Sequence, residues 1–310
     1  WFIGWNLILE YMMGATTVAV AWSGYFTKLL HLFHINLPEY LINDPVTYGG
    51  MAFNVPAFLI TWVITAILVK GIKEAASTNN IIVILKVAVV LFVIIAGSFY
   101  VDTANWDPFI PAEKMGEDGH LHFGVGGVLT AATIVFFAYI GFDAVSTQAG
   151  EAINPKKDVP FAIIASLIIC TLLYIAVSLV LTGMVPYGQL DLKAPVASAF
   201  AVAGIDWAVY LITIAATAGL MSVMLVMMLG QTRIFLGMAK DGLLPKNMFG
   251  SLHPKFKTPY KSNMILFVFV GAFAAFVPGH VAGDLTSFGT LFAFVLVSIG
   301  VWILRVKAPN

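Results

Sequence analysis

The sequence predicts an all-α integral membrane protein, and three observations carry that prediction. Apolar residues make up 60% of the 310 and charged residues only 10%, with a mean hydropathy of +0.94. A soluble domain carries roughly 25% charge to cover its water-facing surface. The apolar residues form long continuous runs without strict alternation, so they read as helices and not as barrel strands. Lysine and arginine collect at every second link between these runs, as in a chain that crosses a bilayer repeatedly. Sixteen basic residues balance sixteen acidic ones, which argues against the strongly basic face of a nucleic-acid binder. The single cysteine, Cys170, lies in an apolar run and excludes an intrachain disulfide framework. No initiator Met or basic leader precedes Trp1, and the sequence stops at Asn310 soon after Arg305 and Lys307. The expectation is an excerpt of a longer chain, truncated at both ends, and not a chain with a signal peptide.

A helical crossing needs about 17–25 residues, and eight runs qualify. The first, about Trp1–Leu30, is unusually long and holds Glu10; the link after it, Ile35–Gly50, has no Lys or Arg. The second, Met51–Val69, ends at Lys70 and Lys73. The third, Asn79–Val101, contains Lys86, and an outer link with Lys114 against five acids follows it. Glycine marks the fourth, Gly126–Gly150, after which come Lys156 and Lys157. The link after the fifth, Val159–Met184, carries Lys193 as its one basic residue, and the sixth, Trp207–Leu236, is as long as the first. Arg233, Lys240, Lys246, Lys255, Lys257 and Lys261 mark the next link. The seventh, Asn263–Val277, is short and is expected to be extended by its flanks; the eighth, Leu285–Leu304, ends at Arg305 and Lys307. Twelve basic residues thus fall on one side and two on the other, with Lys28 at an outer helix end and Lys86 inside a span. Both ends of the stretch are expected in the cytoplasm.

The first three spans and the last three share a pattern: a long span, a long link, a span, a short link and a span. The first trio starts inside and the second outside, the opposed topology from which secondary transporters are built. The expected organisation is one membrane domain, with 1–101 the last three spans of a first repeat and 126–304 a second repeat of five. A chance coincidence of helix lengths is the alternative.

Gly141 lies past the middle of the fourth span, flanked by Phe137, Ala138, Tyr139, Ile140 and Phe142. Glycine weakens a helix, and unwound backbone is tolerated where it lines a polar cavity. A break there would present unpaired carbonyls and the negative end of a helix dipole, a place for an ammonium group; a plain packing contact is the other reading. Three ionisable groups sit where charge is costly. Lys86, about 10 Å along its helix from Asn79, either snorkels to the inner surface or exchanges a proton. Glu10 is a candidate partner at similar depth. Asp143 either caps an inner half-helix or faces a pocket. The pairs His31 with His34 and His120 with His122 lack a ligand set for a metal, and the glycines at 124, 126 and 127 lack a phosphate-loop lysine. No cofactor is expected.

Two inner links carry more specific patterns. Glu151, Asn154, Pro155, Lys157 and Pro160 resemble the segment after the sixth span of amino acid/polyamine/organocation (APC) superfamily permeases. Arg233, Met238, Ala239, Asp241, Gly242, Pro245 and Thr258-Pro259 resemble that family's link after the eighth span, with Lys240 where Arg is common. Asn105-Trp106, Pro108-Phe109 and Pro111 are similar to the outer link before the sixth. Phe136–Thr147, FFAYIGFDAVST, resembles the cationic amino acid transporter subgroup and its bacterial relatives. The resemblance implies an APC/LeuT-type five-plus-five inverted repeat of about twelve spans, covered here from about the third to the tenth. It implies that carbonyls around Phe137, Ala138 and Ile140, beside Gly141, receive a substrate ammonium, and that Phe137 helps close the outer path. It places Lys86 where proton-coupled relatives replace a sodium site, and gives Tyr174 a role in closing the inner path. The first span, which would receive the substrate carboxylate, lies outside the sequence.

The implied function is proton-coupled symport of an L-amino acid across the plasma membrane by alternating access, driven by a proton gradient, with no enzymatic chemistry. The expected partners are the amino acid and membrane lipids, not nucleic acid; no protein partner is indicated. An exchanger, a sodium-coupled carrier and a non-transporting amino acid sensor stay open, as does the choice between a cationic and a small neutral substrate.

Overall fold

The computed structural model describes residues 2–71, 75–116, 121–142, 153–191 and 193–307. Its helices are α1 (Phe2–Leu32), α2 (Pro45–Tyr48), α3 (Val55–Lys70), α4 (Ala75–Ser98), α5 (Gly124–Val135) and α6 (Pro155–Met184). They continue with α7 (Pro195–Val202), α8 (Asp206–Lys240), α9 (Lys246–Phe249), α10 (Tyr260–Phe276) and α11 (Gly279–Lys307). Two residues each, β1 (Lys114–Met115) and β2 (Leu121–His122) pair antiparallel in the link between α4 and α5. The all-α membrane class read from composition is the class observed.

Length and composition make α6, α8 and α11 long enough to cross a bilayer, with shorter apolar helices at Val55–Lys70, Ile82–Ser98, Gly124–Tyr139 and Tyr260–Phe276. Helix ends follow capping chemistry more than hydropathy. The apolar run at Met51 becomes helical only at Val55, because the Asn54 side chain accepts the Ala57 N–H at 3.1 Å and caps the first turn. At Pro155, four residues before the expected start of α6, the proline occupies a first turn that needs no N–H from it.

Contacts divide the chain into two compact units. The first comprises Trp1–Ser23, Leu37–Ala76 and Leu220–Asn310. In it α3 and α10 pack antiparallel: Asn54 N–H donates to the Ala275 carbonyl at 3.1 Å at one end, and Thr258 Oγ1 donates to the Val69 carbonyl at 2.7 Å at the other. Gly271 permits this approach, since a Cβ there would lie 3.1–3.2 Å from Thr61 and Phe58. The Phe58 ring lies tilted against those of Phe53 and Phe267 at centroid distances of 5.4 and 5.2 Å. Buried Asn54 also accepts the Ser23 hydroxyl at 2.7 Å, so one amide oxygen caps α3 and ties α1 to it.

The second unit comprises Gly24–Asn36 and Ser77–Gly219. Fully buried Phe200 on α7 anchors its core with Val93, Ala208, Val209 and Ile212. The Phe92 ring lies 5.4 Å from that of Trp207 and 6.1 Å from that of Phe200. A Cβ on Gly97 would meet Val180 at 2.4 Å, so α4 and α6 touch backbone to side chain. Asn105 donates to the Gly183 carbonyl at 2.7 Å and the Trp106 indole to Thr182 Oγ1 at 3.2 Å. These bonds pin the link between α4 and α5 onto the end of α6.

Replacing Asn54 with Ala removes the cap and strands the Ser23 hydroxyl, so the purified full-length protein should lose about 1–3 kcal/mol of stability. Asn54→Ser, which still caps, should lose less. Equal thermal midpoints for wild type and Asn54→Ala would contradict this role.

Candidate functional site

The fourth span is not one continuous helix. The α-helical pattern of α5 stops at Val135, tightens to a 3-10 turn over Phe136–Tyr139, and opens to φ −59°, ψ 131° at Ile140. Gly141 follows at φ +118°. That backbone is open to glycine and strained for any residue with a Cβ, although nothing within 4 Å would meet a Cβ there. Conformation, not packing, therefore requires the glycine. Asp143 lies outside the described residues, as does Glu151 of the link that follows.

The break leaves carbonyls without helical partners, and their fate is specific. The Phe137 carbonyl accepts Ile140 N–H at 3.1 Å, closing the 3-10 turn. The Ala138 carbonyl accepts the Tyr174 hydroxyl of α6 at 2.6 Å. Tyr139 sits against Tyr174 with centroids 5.3 Å apart and planes at 78°, and its hydroxyl accepts from Thr171 Oγ1 at 3.1 Å. A carbonyl oxygen has two lone pairs, so the bonded Phe137 and Ala138 oxygens each retain an acceptor site. The half-helix directs its negative dipole end at this same place. Phe137, Ala138, Ile140, Gly141 and Tyr174 are thus brought together, in a setting chemically suited to a small cation.

Lys86 lies half-buried in the same unit. Its stem runs across Gly219 of α8: a Cβ on that glycine would lie 3.2–3.4 Å from Lys86 Cε, Cγ and Cδ. The lysine stem is thereby packed against bare backbone. Glu10, in the other unit, is 1% exposed. There α11 approaches α1 at Gly289, whose carbonyl accepts the Asn6 amide and where a Cβ would sit 3.5 Å from that of Glu10. The pairing of Glu10 with Lys86 carries forward as a proposal.

Three residues were not singled out from the sequence. Tyr139 and Thr171 complete the clamp on the break; the spacing of Thr171 and Tyr174, three apart on one helix, was the available signal. Gln231 on α8 is 1% exposed, and neither carboxamide atom has a partner among the described residues. A polar side chain in an apolar run was its signal. Among the described residues no three His, Cys, Asp or Glu side chains converge as a metal ion would require.

A model of the family described as "Amino acid permease" matches residues 1–310. The chain is 44% identical over 311 residues to the branched-chain amino acid permease BcaP of Bacillus subtilis (strain 168). It is 42% identical over 308 residues to the methylthioribose transporter of the same organism. Both alignments cover 99% of this chain and 64% of the relative. The vacuolar cationic amino acid transporter 4 of Arabidopsis thaliana is 34% identical over 313 residues, covering 100% of this chain and 50% of that protein. The chain therefore spans about half to two-thirds of the length of these curated relatives.

Gly141→Ala should destabilise the full-length protein by about 1–3 kcal/mol through backbone strain. Gly237→Ala, on α8 with nothing within 4 Å of the added methyl, should be neutral or stabilising. Thermal unfolding of the two variants side by side checks this; the reverse order would dismiss the strain at Gly141.

Proposed function

The chain belongs to the amino acid permease family, and from that premise we propose that it forms the central part of a secondary active transporter of L-amino acids. In this reading the protein works in the plasma membrane by alternating access as a proton-coupled symporter, with no covalent chemistry. The observation that carries it is the helix interrupted at Phe136–Gly141 inside an apolar span, with carbonyls turned out of helical pairing. Irregular backbone at membrane depth is stable only where something polar satisfies it, and a substrate ammonium has the required chemistry.

Lys86 supports the proton as coupling ion. A lysine ammonium is a compact charge that repels a sodium ion nearby, and lysine, unlike arginine, readily gives up its proton when desolvated. Protonation of Lys86 then biases the equilibrium between outward-open and inward-open states, with Glu10 as a second proton-coupling residue. Five-plus-five inverted organisation is the architecture proposed around these helices, and the antiparallel packing of α3 on α10 supports it, since the two hold equivalent places in the opposed repeats. The basic residues put both ends of the chain in the cytoplasm. For the substrate, an uncharged side chain is placed first. The two bacterial relatives named above are the more similar ones, one named for branched-chain amino acids, and the break is flanked by Phe137, Ala138 and Ile140.

Uptake of radiolabelled amino acids into proteoliposomes of the full-length protein tests the reading. Branched-chain amino acids should accumulate under an inward proton gradient without sodium. Binding without flux would make the protein a sensor, and accumulation only under a sodium gradient would remove the proton. Gly141→Leu should weaken substrate binding by about tenfold or more, equivalent to ~1.4 kcal/mol.

Lys86→Ala and Lys86→Arg should both abolish proton-driven uptake, since arginine keeps the charge but holds its proton. Gly219→Leu, which displaces the lysine stem, should flatten the pH dependence of uptake. Proton-driven accumulation at the wild-type level in Lys86→Arg would falsify proton exchange at this residue.

A further inference from the structure

The link between α8 and α10 is folded, and it presents a surface that neither the break nor Lys86 uses. Leu244 is buried, and the Phe235 and Phe249 rings lie 4.8 Å apart, docking α9 against α8. Lys261 Nζ donates to the Asn247 carbonyl at 2.9 Å. Beyond α9, His253 N–H donates to the Thr258 carbonyl at 2.7 Å, and the His253 carbonyl accepts Lys257 N–H at 2.9 Å. Thr258 Oγ1 in turn ties the link to the last turn of α3 through the Val69 carbonyl. The backbone is therefore held by bonds of its own.

This fold points two kinds of side chain outward. Lys246, Lys255 and Lys257 are exposed. Met248, Leu252 and Phe256 stand among them at 48%, 47% and 39% exposure. Between Arg233 and Asn263 the sequence carries six basic residues and one acid, Asp241. A topology signal needs only positive charge; it does not need a folded link that also exposes large apolar side chains. Clustered exposed apolar groups mark a contact surface, and lysines interleaved with them match an interface that is apolar below and anionic above. The link runs from α8, long enough to cross a bilayer, to the shorter apolar helix α10, so it lies close to that interface.

We propose that the α8–α10 link is a docking surface for anionic phospholipid headgroups. Lys246, Lys255 and Lys257 engage the headgroup phosphates, and Met248, Leu252 and Phe256 enter the boundary with the acyl chains. On the orientation proposed above, the leaflet is the cytoplasmic one. Because the link is bonded to the end of α3, lipid held there also braces α3 with α8 and α10. A soluble phosphate compound would satisfy the lysines but leave the apolar triad in water, which selects the lipid.

The test compares spin-labelled phosphatidylglycerol with spin-labelled phosphatidylcholine around the full-length protein in nanodiscs. Anionic lipid is present in both leaflets, so the readout does not depend on orientation or on transport. The wild type should prefer phosphatidylglycerol by at least about fivefold, the factor carried by one lysine near an anionic surface. The triple variant Lys246→Gln, Lys255→Gln, Lys257→Gln should lose that preference, and the corresponding triple Arg variant should keep it. Amide exchange over residues 246–257 should slow in phosphatidylglycerol relative to phosphatidylcholine, and Met248→Ser with Leu252→Ser should reverse the slowing. Equal association of the two lipids with the wild type, an undiminished preference in the Gln variant, or displacement by soluble glycerophosphate would each overturn the proposal.

Discussion

Inside a hydrocarbon core no water is available to bond a peptide group, so every N–H and C=O must find a partner within the protein. The constraint explains why the described chain is almost entirely helical, and it makes the exception at Phe136–Gly141 informative. Helix pairing is given up there for about one turn. The freed carbonyls are taken up by a 3-10 bond from Ile140 and by the Tyr174 hydroxyl. Tyr174, Thr171 and Tyr139 thus make the break structurally affordable, while acceptor capacity remains on the carbonyl oxygens.

The same scarcity of water changes how helices associate. Lipid tails are as apolar as leucine, so close packing and interhelical hydrogen bonds carry much of the association. Gly271 against Thr61 and Gly97 against Val180 are close approaches of this kind. Asn54 shows the polar side of the rule, with one buried amide oxygen serving a helix cap and a neighbouring helix together. At Gly219 the missing side chain makes the room in which the Lys86 stem lies.

Much of the fold was legible because its causes are local. Continuous apolar runs mark spans, alternating lysine-rich links mark topology, and Gly141 announced a weak point in its helix. Helix starts at Val55 and Pro155 were misplaced by about one turn, since hydropathy does not register Asn54 as a cap or Pro155 as a first-turn residue. The site was legible in outline: Phe137, Ala138, Ile140 and Gly141 are consecutive or nearly so, and a sequence displays neighbours of that kind directly. Its other half comes from α6: Thr171 is 32 residues beyond Tyr139, and Tyr174 is 36 beyond Ala138. No local pattern says that the Tyr174 hydroxyl ends on the Ala138 carbonyl, or that Thr171 meets Tyr139.

What the sequence determined by itself is the solvent of this protein, the approximate extent of its long apolar helices, and the residues at which charge or glycine is anomalous. These follow from one-dimensional quantities: hydropathy, charge order and backbone propensity. Tertiary structure alone decided which anomalies acquire partners. Lys86 rests on Gly219 some 133 residues away, and Asn54 joins α1 to α3. The link after α8 closes on itself through His253 and Thr258. Those pairings depend on how helices cross in three dimensions, and a crossing is set by shape and hydrogen bonding on both partners together, which neither stretch of sequence contains alone.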